Sequence, residues 1–547
     1  LKATNKASTR KGTTSKQKAA KTPAPKLTEV EKQIAASIQD RIANWVNRPA
    51  CASLSTLVDI EVAVTPDAEP GPREIRLITL RGVSNPMAFH VGQLPEVARK
   101  PMKTCTFQVL GKEALSQRKR PPEEMEEVIS IPCTTNGQIA SGEVNQYRFQ
   151  ANKGQRLVIS ASARDLIPYI ADAVPGWFQP VLALTDANGR EVAYNDDFRF
   201  KPDPTFFYEV PQDGEYVLSI TDAIYRGRED FVYRISISEL PFVTSVFPLG
   251  ARVGESVNLE MNGWNIQGAT VAPPSNSAGP GIHSIVATKN GAFSNSIPFA
   301  LNTLPECLDA ESNNDPAHAQ KVKMPIIVNG RIDRPDDWDL FQIHGKAGES
   351  IAVEVHARRL ASPLDSTIRI TDQAGNLVAF NDDNEDAGSG VNTHHADSYV
   401  VTKLPADGKY FIHLGDTNRN GGEEYAYRLR ISKPMPDFAL RIAPSSVAIR
   451  SKSTGSMTVN VIRRDGFTGT IILTLKDPPK GFSAPAVKLA AGKDTVKFRV
   501  KTDLKETKGP ISLTIQGTAK IQGKTVSHLA VPAEDQMQAF LWRHLVP

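Results

Sequence analysis

Asn329-Gly330-Arg331-Ile332, followed by Trp338-Asp339-Leu340-Phe341, repeats an earlier passage: Asn136-Gly137-Gln138-Ile139, followed by Val144-Asn145-Gln146-Tyr147. The register then holds. Lys153-Gly154 matches Ala347-Gly348, and Ala163-Arg164-Asp165-Leu166 matches Ala357-Arg358-Arg359-Leu360. Tyr194-Asn195-Asp196-Asp197 matches Phe380-Asn381-Asp382-Asp383, and Pro211 to Tyr216 matches Pro405 to Tyr410. Both passages close on Tyr-Arg-hydrophobic-x-Ile, at Tyr233 to Ile237 and Tyr427 to Ile431. Self-similarity at a fixed spacing marks a duplicated structural unit. Within each copy short runs alternate apolar and polar residues, as in Val217 to Thr221 and Ile351 to Val355. Asn188-Gly189, Asp213-Gly214, Asn290-Gly291 and Asp407-Gly408 punctuate them. Period two broken by such turn pairs predicts antiparallel strands. Few long helical patterns intervene, which argues against a βαβ enzyme fold.

A smaller repeat precedes each large one. Ile75 to Phe89, ending in Leu94-Pro95-Glu96, matches Ile285 to Phe299, ending in Leu304-Pro305-Glu306. A chain of 547 residues exceeds what one core supports, so several domains are expected. The predicted fold is all-β: tandem β-sandwich domains, jelly-roll-like and Ig-like, with a short N-terminal amphipathic helix. The order is a basic disordered tail (1–26), an amphipathic helix (27–49), a small domain (50–98) and a linker (99–130). The first large sandwich (131–238), a second small domain (239–304), the second large sandwich (305–433), an Ig-like domain (434–532) and a C-terminal helix or tail (533–547) follow.

Net charge is +4, and the first 26 residues hold eight basic groups and no acid. The body is near neutral, which speaks against nucleic acid as a partner. No run of about 20 apolar residues suggests a membrane span. The helix is read from the capping pair Thr28 and Glu31 and the stripe Val30, Ile34, Ile38, Ile42 and Val46, stopped by Pro49. Met537, Phe540, Leu541 and Leu545 suggest a second, C-terminal helix. Either helix could dock a partner subunit. The chain begins at Leu1, which reads as a processed form or a fragment. Cys51, Cys105, Cys133 and Cys307 lack CxxC spacing, so zinc is not expected; Cys105 and Cys133 flank one linker and could pair.

The large repeats resemble the bacterial pre-peptidase C-terminal (PPC) domain, a jelly-roll-like sandwich related to collagen-binding modules. The resemblance rests on the NG[QR]I opening, the D/N-x-[FY] step, the NDD loop and the P-x-D-G-x-Y hairpin. The small repeats resemble the IPT/TIG Ig-like domain, most fully from Val243 to Gly250, Gly254 to Val257, Gly263 and Ser294-Asn295. The last module looks like a bacterial Ig-like domain. The arrangement is similar to large secreted proteins of planctomycete-type bacteria. It implies a secreted, extracellular or cell-envelope protein that binds a protein or polysaccharide ligand.

No GxSxG, HExxH, Walker loop or post-strand GxGxxG is present, so catalytic residues and an organic cofactor are not expected. His394-His395 would point to opposite faces of a strand. Acidic loops carry more. Glu311, Asn313, Asn314 and Asp315 precede the first strand of the second copy, and Asp333, Asp336, Asp337 and Asp339 follow it. Calcium takes six to eight hard oxygen ligands from such loops. The collagen-binding resemblance implies a calcium site formed from Glu311, Asn313, Asp315, Asp336, Asp337 and Asp339, in the second copy only. The other reading makes these residues turn formers and solvated charges. Asp382-x-Asn384-x-Asp386 and Asp416-x-Asn418-x-Asn420-Gly421 imitate half an EF-hand loop without its terminal Glu. Trp177, Phe178, Phe198, Phe200, Phe206 and Phe207 serve either ligand stacking or strand packing. Two functions follow as expectations: a non-catalytic binding or scaffold protein stiffened by calcium, or a non-catalytic portion of a secreted hydrolase or larger assembly.

Overall fold

The computed structural model of the protein describes residues 32, 35, 36, 39, 58, 60–101, 104–117, 120–168, 178–275, 277–384, 396–539 and 542–547. Its architecture is nearly all strand. Lys32, Ala35, Ala36 and Gln39 are helical. The rest of the expected 27–49 helix, the 1–26 tail, Trp177 and the His394-His395 pair lie outside the described residues.

The two large repeats are two copies of one sandwich. The first is built from β1 (Glu96–Ala98), β2 (Glu126–Val128), β3 (Cys133–Gln138), β4 (Asn145–Ala151) and β5 (Arg156–Ser162). It continues through β6 (Pro180–Asp186), β7 (Glu191–Asn195), β8 (Thr205–Glu209), β9 (Gly214–Asp222) and β10 (Val232–Ser238). The second runs β11 (Glu306–Leu308), β12 (Gln320–Lys321), β13 (Ile326–Arg331), β14 (Trp338–Gly345) and β15 (Ser350–His356). It ends with β16 (Ser366–Asp372), β17 (Leu377–Asn381), β18 (Tyr399–Lys403), β19 (Gly408–Asp416) and β20 (Ala426–Ser432). The sheet orders are β8-β5-β10-β3-β1 against β7-β6-β9-β4-β2, and β18-β15-β20-β13-β11 against β17-β16-β19-β14-β12. Each strand of the first copy therefore has its counterpart ten places on. Alternation builds the layers: Asn145, Tyr147, Phe149 and Ala151 of β4 point inward, while Gln146, Arg148 and Gln150 face away from the core.

The repeated motifs have physical reasons. Gly137 in β3 pairs with Tyr233 in β10, and Gly330 in β13 pairs with Tyr427 in β20. A Cβ at either glycine would run into the tyrosine ring, so the ring lies directly over bare backbone. The neighbouring Asn, the Arg after the Tyr and the Glu of Leu-Pro-Glu form a second shared group. Arg234 and Asn136 both donate to Glu96, at 2.7 and 3.0 Å. Arg428 and Asn329 both donate to Glu306, at 2.6 and 2.9 Å. This clamp fixes β1 and β11, which run parallel to β3 and β13. The NDD loops are structural turns: Asn195 accepts from Thr205 N–H, and Asn381 accepts from Tyr399 N–H. Asp416 likewise accepts three backbone N–H groups, from Asp365, Asn418 and Asn420.

The small domain over 239–304 pairs Phe242–Phe247 with Glu260–Trp264 and builds a second sheet around the hairpin Gly281–Lys289 and Ala292–Asn302. In the first small domain, Gly71–Ile75 pairs with Met87–Val91. The final module is an eight-stranded arrangement around Phe438, Val459, Ile471 and Phe498.

Two expectations need correction. The C-terminal segment is a β-hairpin, Glu534–Ala539 with Trp542–Val546, and no helix. Residues four apart share a face of a strand as well as of a helix, so the Met537/Leu541/Leu545 spacing fits either period. Continuity with the strand Lys524–Pro532 favours extended backbone, Ala533 N–H bonding Ile442 C=O. Second, Cys133 is a free thiol in the apolar core of the first sandwich, and Cys307 is free too. With Cys133 free, the open possibility of a Cys105–Cys133 pairing is not realised.

The domains pack on one another. Trp264 and Phe242 of the small domain hold Phe198 and Phe207 of the first sandwich, with ring centroids 5.6–5.9 Å apart. Phe200 lies 4.5 Å beneath the Arg358 guanidinium of the second sandwich. Phe178 stacks on Phe231 inside the first core, and Phe206 is buried. The five described members, Phe178, Phe198, Phe200, Phe206 and Phe207, therefore serve packing. Arg430 binds Glu354 on its own sheet and Asp465 of the last module, both at 2.7 Å. The chain also turns back, with Arg76 donating to Ser445 at 2.5 Å and Ser446 to Val83 C=O at 3.3 Å.

Gly330→Ala should lower stability by about 2–3 kcal/mol, because the new methyl must displace a buried tyrosine that cannot move away. Thermal melting of the full chain checks it, with Gly509→Ala as the comparison, since Gly509 is exposed, has no positive φ and has open space where a Cβ would go. Burial alone would raise the Glu354 carboxyl, but His356, Arg430 and Arg359 outweigh it and hold it far below the usual range. Its stability contribution is present above about pH 4.5 and is lost as pH falls below that. Glu354→Gln should therefore cost about 3 kcal/mol at pH 7, and a denaturant titration should show the difference closing in acid.

Candidate metal centre

The site forms where the strap after β11 meets the start of β14. The clamp on Glu306 sets the strap, and Asp309 N–H then bonds Asn329 C=O at 2.9 Å. Asn313 C=O accepts from Leu340 N–H at 3.0 Å, holding the strap against β14. Ala319 and Trp338 pack with Leu340 and Phe411 over the outside of that sheet. Asp309, Glu311 and Asp339 are thereby brought together, with one carboxylate oxygen from each lying within 4.8 Å of the others.

The cluster runs from the buried Asp339 through the half-buried Asp309 to the exposed Glu311. Asp339 and Asn313 are fully buried. Asp339 Oδ2 accepts from the Tyr427 hydroxyl at 2.5 Å, while its Oδ1 has no hydrogen-bond partner. Asn313 Nδ2 donates to Asp309 Oδ1 at 2.6 Å, and the side-chain oxygen Oδ1 of Asn313 is buried and unpartnered. Burial, then the neighbouring Asp309 charge, pushes the Asp339 carboxyl up to about 10. Burial, then Glu311, pushes Asp309 up to about 7. Glu311 is raised for the same two kinds of reason, the charge here being that of Asp337. Tyr427 is raised well above its ordinary value by burial and by Asp339. Like charges at this spacing, with one of the three carboxyls fully buried, are costly unless a proton or a cation neutralises them. The cluster could hold a metal ion, and its donors are all hard oxygens, the set that group-2 cations prefer.

The residues expected at this site divide. Glu311 and Asp339 are in the cluster, and Asn313 lines it. Asp337 is buried nearby but engaged, accepting from Asn314 at 2.9 Å and from Asp333 N–H at 3.1 Å. Asp315 is exposed and paired with His318 at 2.9 Å. Asp336 is exposed, 3.6 Å from Arg419. Asp309 was missed. The signal available was the charge reversal at one register position: Leu94 to Arg99 aligns with Leu304 to Asp309.

The first sandwich has the same frame with different chemistry. Asn145 stands in the place of Asp339 and donates to the Tyr233 hydroxyl at 2.9 Å. Arg99 stands in the place of Asp309, its N–H bonding Asn136 C=O at 2.9 Å.

No family model matches the chain. A stretch of 113 residues is 38% identical to a probable subtilase-type serine protease of Deinococcus radiodurans. It covers 20% of this chain and 14% of that protein, so the likeness spans a small part of the relative. Among solved structures, Aeromonas hydrophila PliG, a periplasmic inhibitor of g-type lysozyme, matches at 12% identity and a TM-score of 0.13, over 21% of this chain and 99% of that one. A putative secreted protein of Eubacterium rectale matches at 11% identity and 0.16, over 38% and 74%. Among the described residues no helix is long and apolar enough to cross a membrane.

Asp339→Asn should stabilise the chelator-treated chain by about 1–3 kcal/mol, since it replaces a carboxyl that must take up a proton to be buried with an amide that needs none and reproduces the Asn145 contact. The readout is a denaturant midpoint measured with and without added cation.

Proposed function

We propose that the chain is a non-catalytic binding and scaffold portion of a secreted protein, acting at the cell surface or outside it, and that calcium stiffens its second sandwich. The carrying observation is the convergence of Asp309, Glu311 and Asp339 beside the unpartnered oxygens of Asp339 and Asn313. Oxygen-only donors with no imidazole or thiolate fit calcium better than zinc or copper. The ion would supply the missing positive charge and tie the strap to β14, fixing how the preceding small domain is presented. Ligand recognition would fall to loops and edges of the sandwiches and takes a protein or polysaccharide; neither nucleic acid nor a membrane span enters this reading. The absence of a nucleophile elbow, HExxH or Walker loop from the sequence supports a non-catalytic role.

A second reading is favoured by the match to a probable subtilase-type serine protease. In that case these domains accompany a secreted hydrolase whose reactive residues lie in another domain.

Calcium titration of the EDTA-treated full chain, followed by calorimetric melting, tests the ion. Binding to the native state alone stabilises it by about 2.7 kcal/mol at a hundredfold excess over Kd. Calcium should raise the melting temperature where magnesium does not, and an unmoved transition at millimolar calcium would sink the site. Immobilised glycans and matrix polypeptides test the binding role. Hydrolysis of peptide or glycoside substrates by the purified chain would contradict a non-catalytic one.

A further inference from the structure

The strongest asymmetry in the molecule lies between the two copies of one pocket. In the second copy the pocket is lined by Asp309, Glu311 and Asp339, with Asp337 behind them. In the first copy the same register positions hold Arg99, Glu123, Asn145 and Glu143. The correspondence is fixed by main-chain bonds. Arg99 N–H bonds Asn136 C=O as Asp309 N–H bonds Asn329 C=O, and Gln146 N–H bonds Met125 C=O as Leu340 N–H bonds Asn313 C=O.

The Arg99 side chain is fully buried. Its guanidinium turns into the pocket and donates to main-chain oxygens of Gln146 at 3.0 Å, Met125 at 3.0 Å and Glu124. It lies 5.1 Å over the Tyr147 ring, with a Glu127 carboxylate oxygen 3.8 Å from Nε. Carbonyl oxygens, a carboxylate and an aromatic face are the surroundings of a cation. A second arginine adds to the neutralisation: Arg120, itself buried, lies 3.6 Å from Glu143, where Asp337 of the second copy has the Asn314 amide at 2.9 Å and only the largely exposed Arg334 at 3.8 Å.

We propose that Arg99 is a tethered cation, whose guanidinium fills in the first sandwich the position that a bound divalent ion fills in the second. This rests on the calcium reading of the second sandwich. It gives the reason why the chain takes up one ion, and adds that the first sandwich keeps its strap docked without any and that calcium controls only one of the two modules. The charge count is the reason. Replacing Asp309 by Arg and Asp339 by Asn turns a pocket that needs external positive charge into one that carries its own.

The experiment uses the full chain after chelation. Isothermal titration with calcium chloride gives stoichiometry, and hydrogen exchange reads β4 and β9 of the first sandwich against β14 and β19 of the second. For the unaltered chain one ion is expected. Chelation should then speed exchange at least about tenfold in β14 and β19 and leave β4 and β9 unchanged. Arg99→Asp with Asn145→Asp should bind a second ion and make β4 and β9 calcium-sensitive. Asp309→Arg with Asp339→Asn should bind none and keep β14 and β19 protected in chelator. That second pair decides the matter should the first fail to fold. Two ions in the unaltered chain, β4 and β9 loosened by chelation, or β14 and β19 left open in the Asp309→Arg pair would overturn the tethered cation while leaving the calcium reading standing. No calcium uptake by the unaltered chain would overturn both.

Discussion

A fully buried carboxylate with one satisfied oxygen and one bare one is the constraint on which this account turns. Asp339 sits at the start of β14, where the strap, β13 and β20 meet, and the Tyr427 hydroxyl reaches only one of its oxygens. That tyrosine is itself fixed, because its ring covers Gly330. The same Gly-Tyr stack that locks the sandwich therefore aims a hydroxyl at the carboxylate and leaves it a single open side. Asp309 and Glu311 close on that side, and the local electrostatics then call for a positive charge.

The duplicated module lets one frame be seen with two chemistries. Strand order, the Glu-Asn-Arg clamp and the Gly-Tyr stack are common to both copies. The pocket differs in charge, chiefly by an Arg for an Asp and an Asn for an Asp. Fold and site are therefore separable here: the clamp sets where the strap runs, and the residues on it decide which charge the pocket wants. The same separation runs through the assembly. The aromatic groups around Phe198 and Trp264 and the Arg430–Asp465 pair join domains without touching the acidic cluster.

Much of the architecture was legible. Period-two alternation and the register of the repeat point to two matching sandwiches, because inward residues such as Tyr147 and Phe341 recur at fixed offsets from the turn pairs. The C-terminal hairpin was not legible, because a four-residue recurrence satisfies strand and helix alike. The site was legible in part. Glu311 and Asp339 stand out as acids flanking a strand, but Asp315 and Asp336 do so equally, and their exposed pairing with His318 and Arg419 depends on local turns. Asp309 is a single acid after an apolar pair. Its role depends on the parallel pairing of β11 with β13, which spacing along the chain does not reveal.

The most direct measurement is a crystal structure of the protein grown in calcium, with anomalous scattering used to identify the ion. One peak is expected, about 2.3–2.6 Å from carboxylate oxygens of Asp309, Glu311 and Asp339, and none beside the Arg99 guanidinium. Density explained by water alone at that position, with the three carboxylates turned apart into solvent, would contradict it.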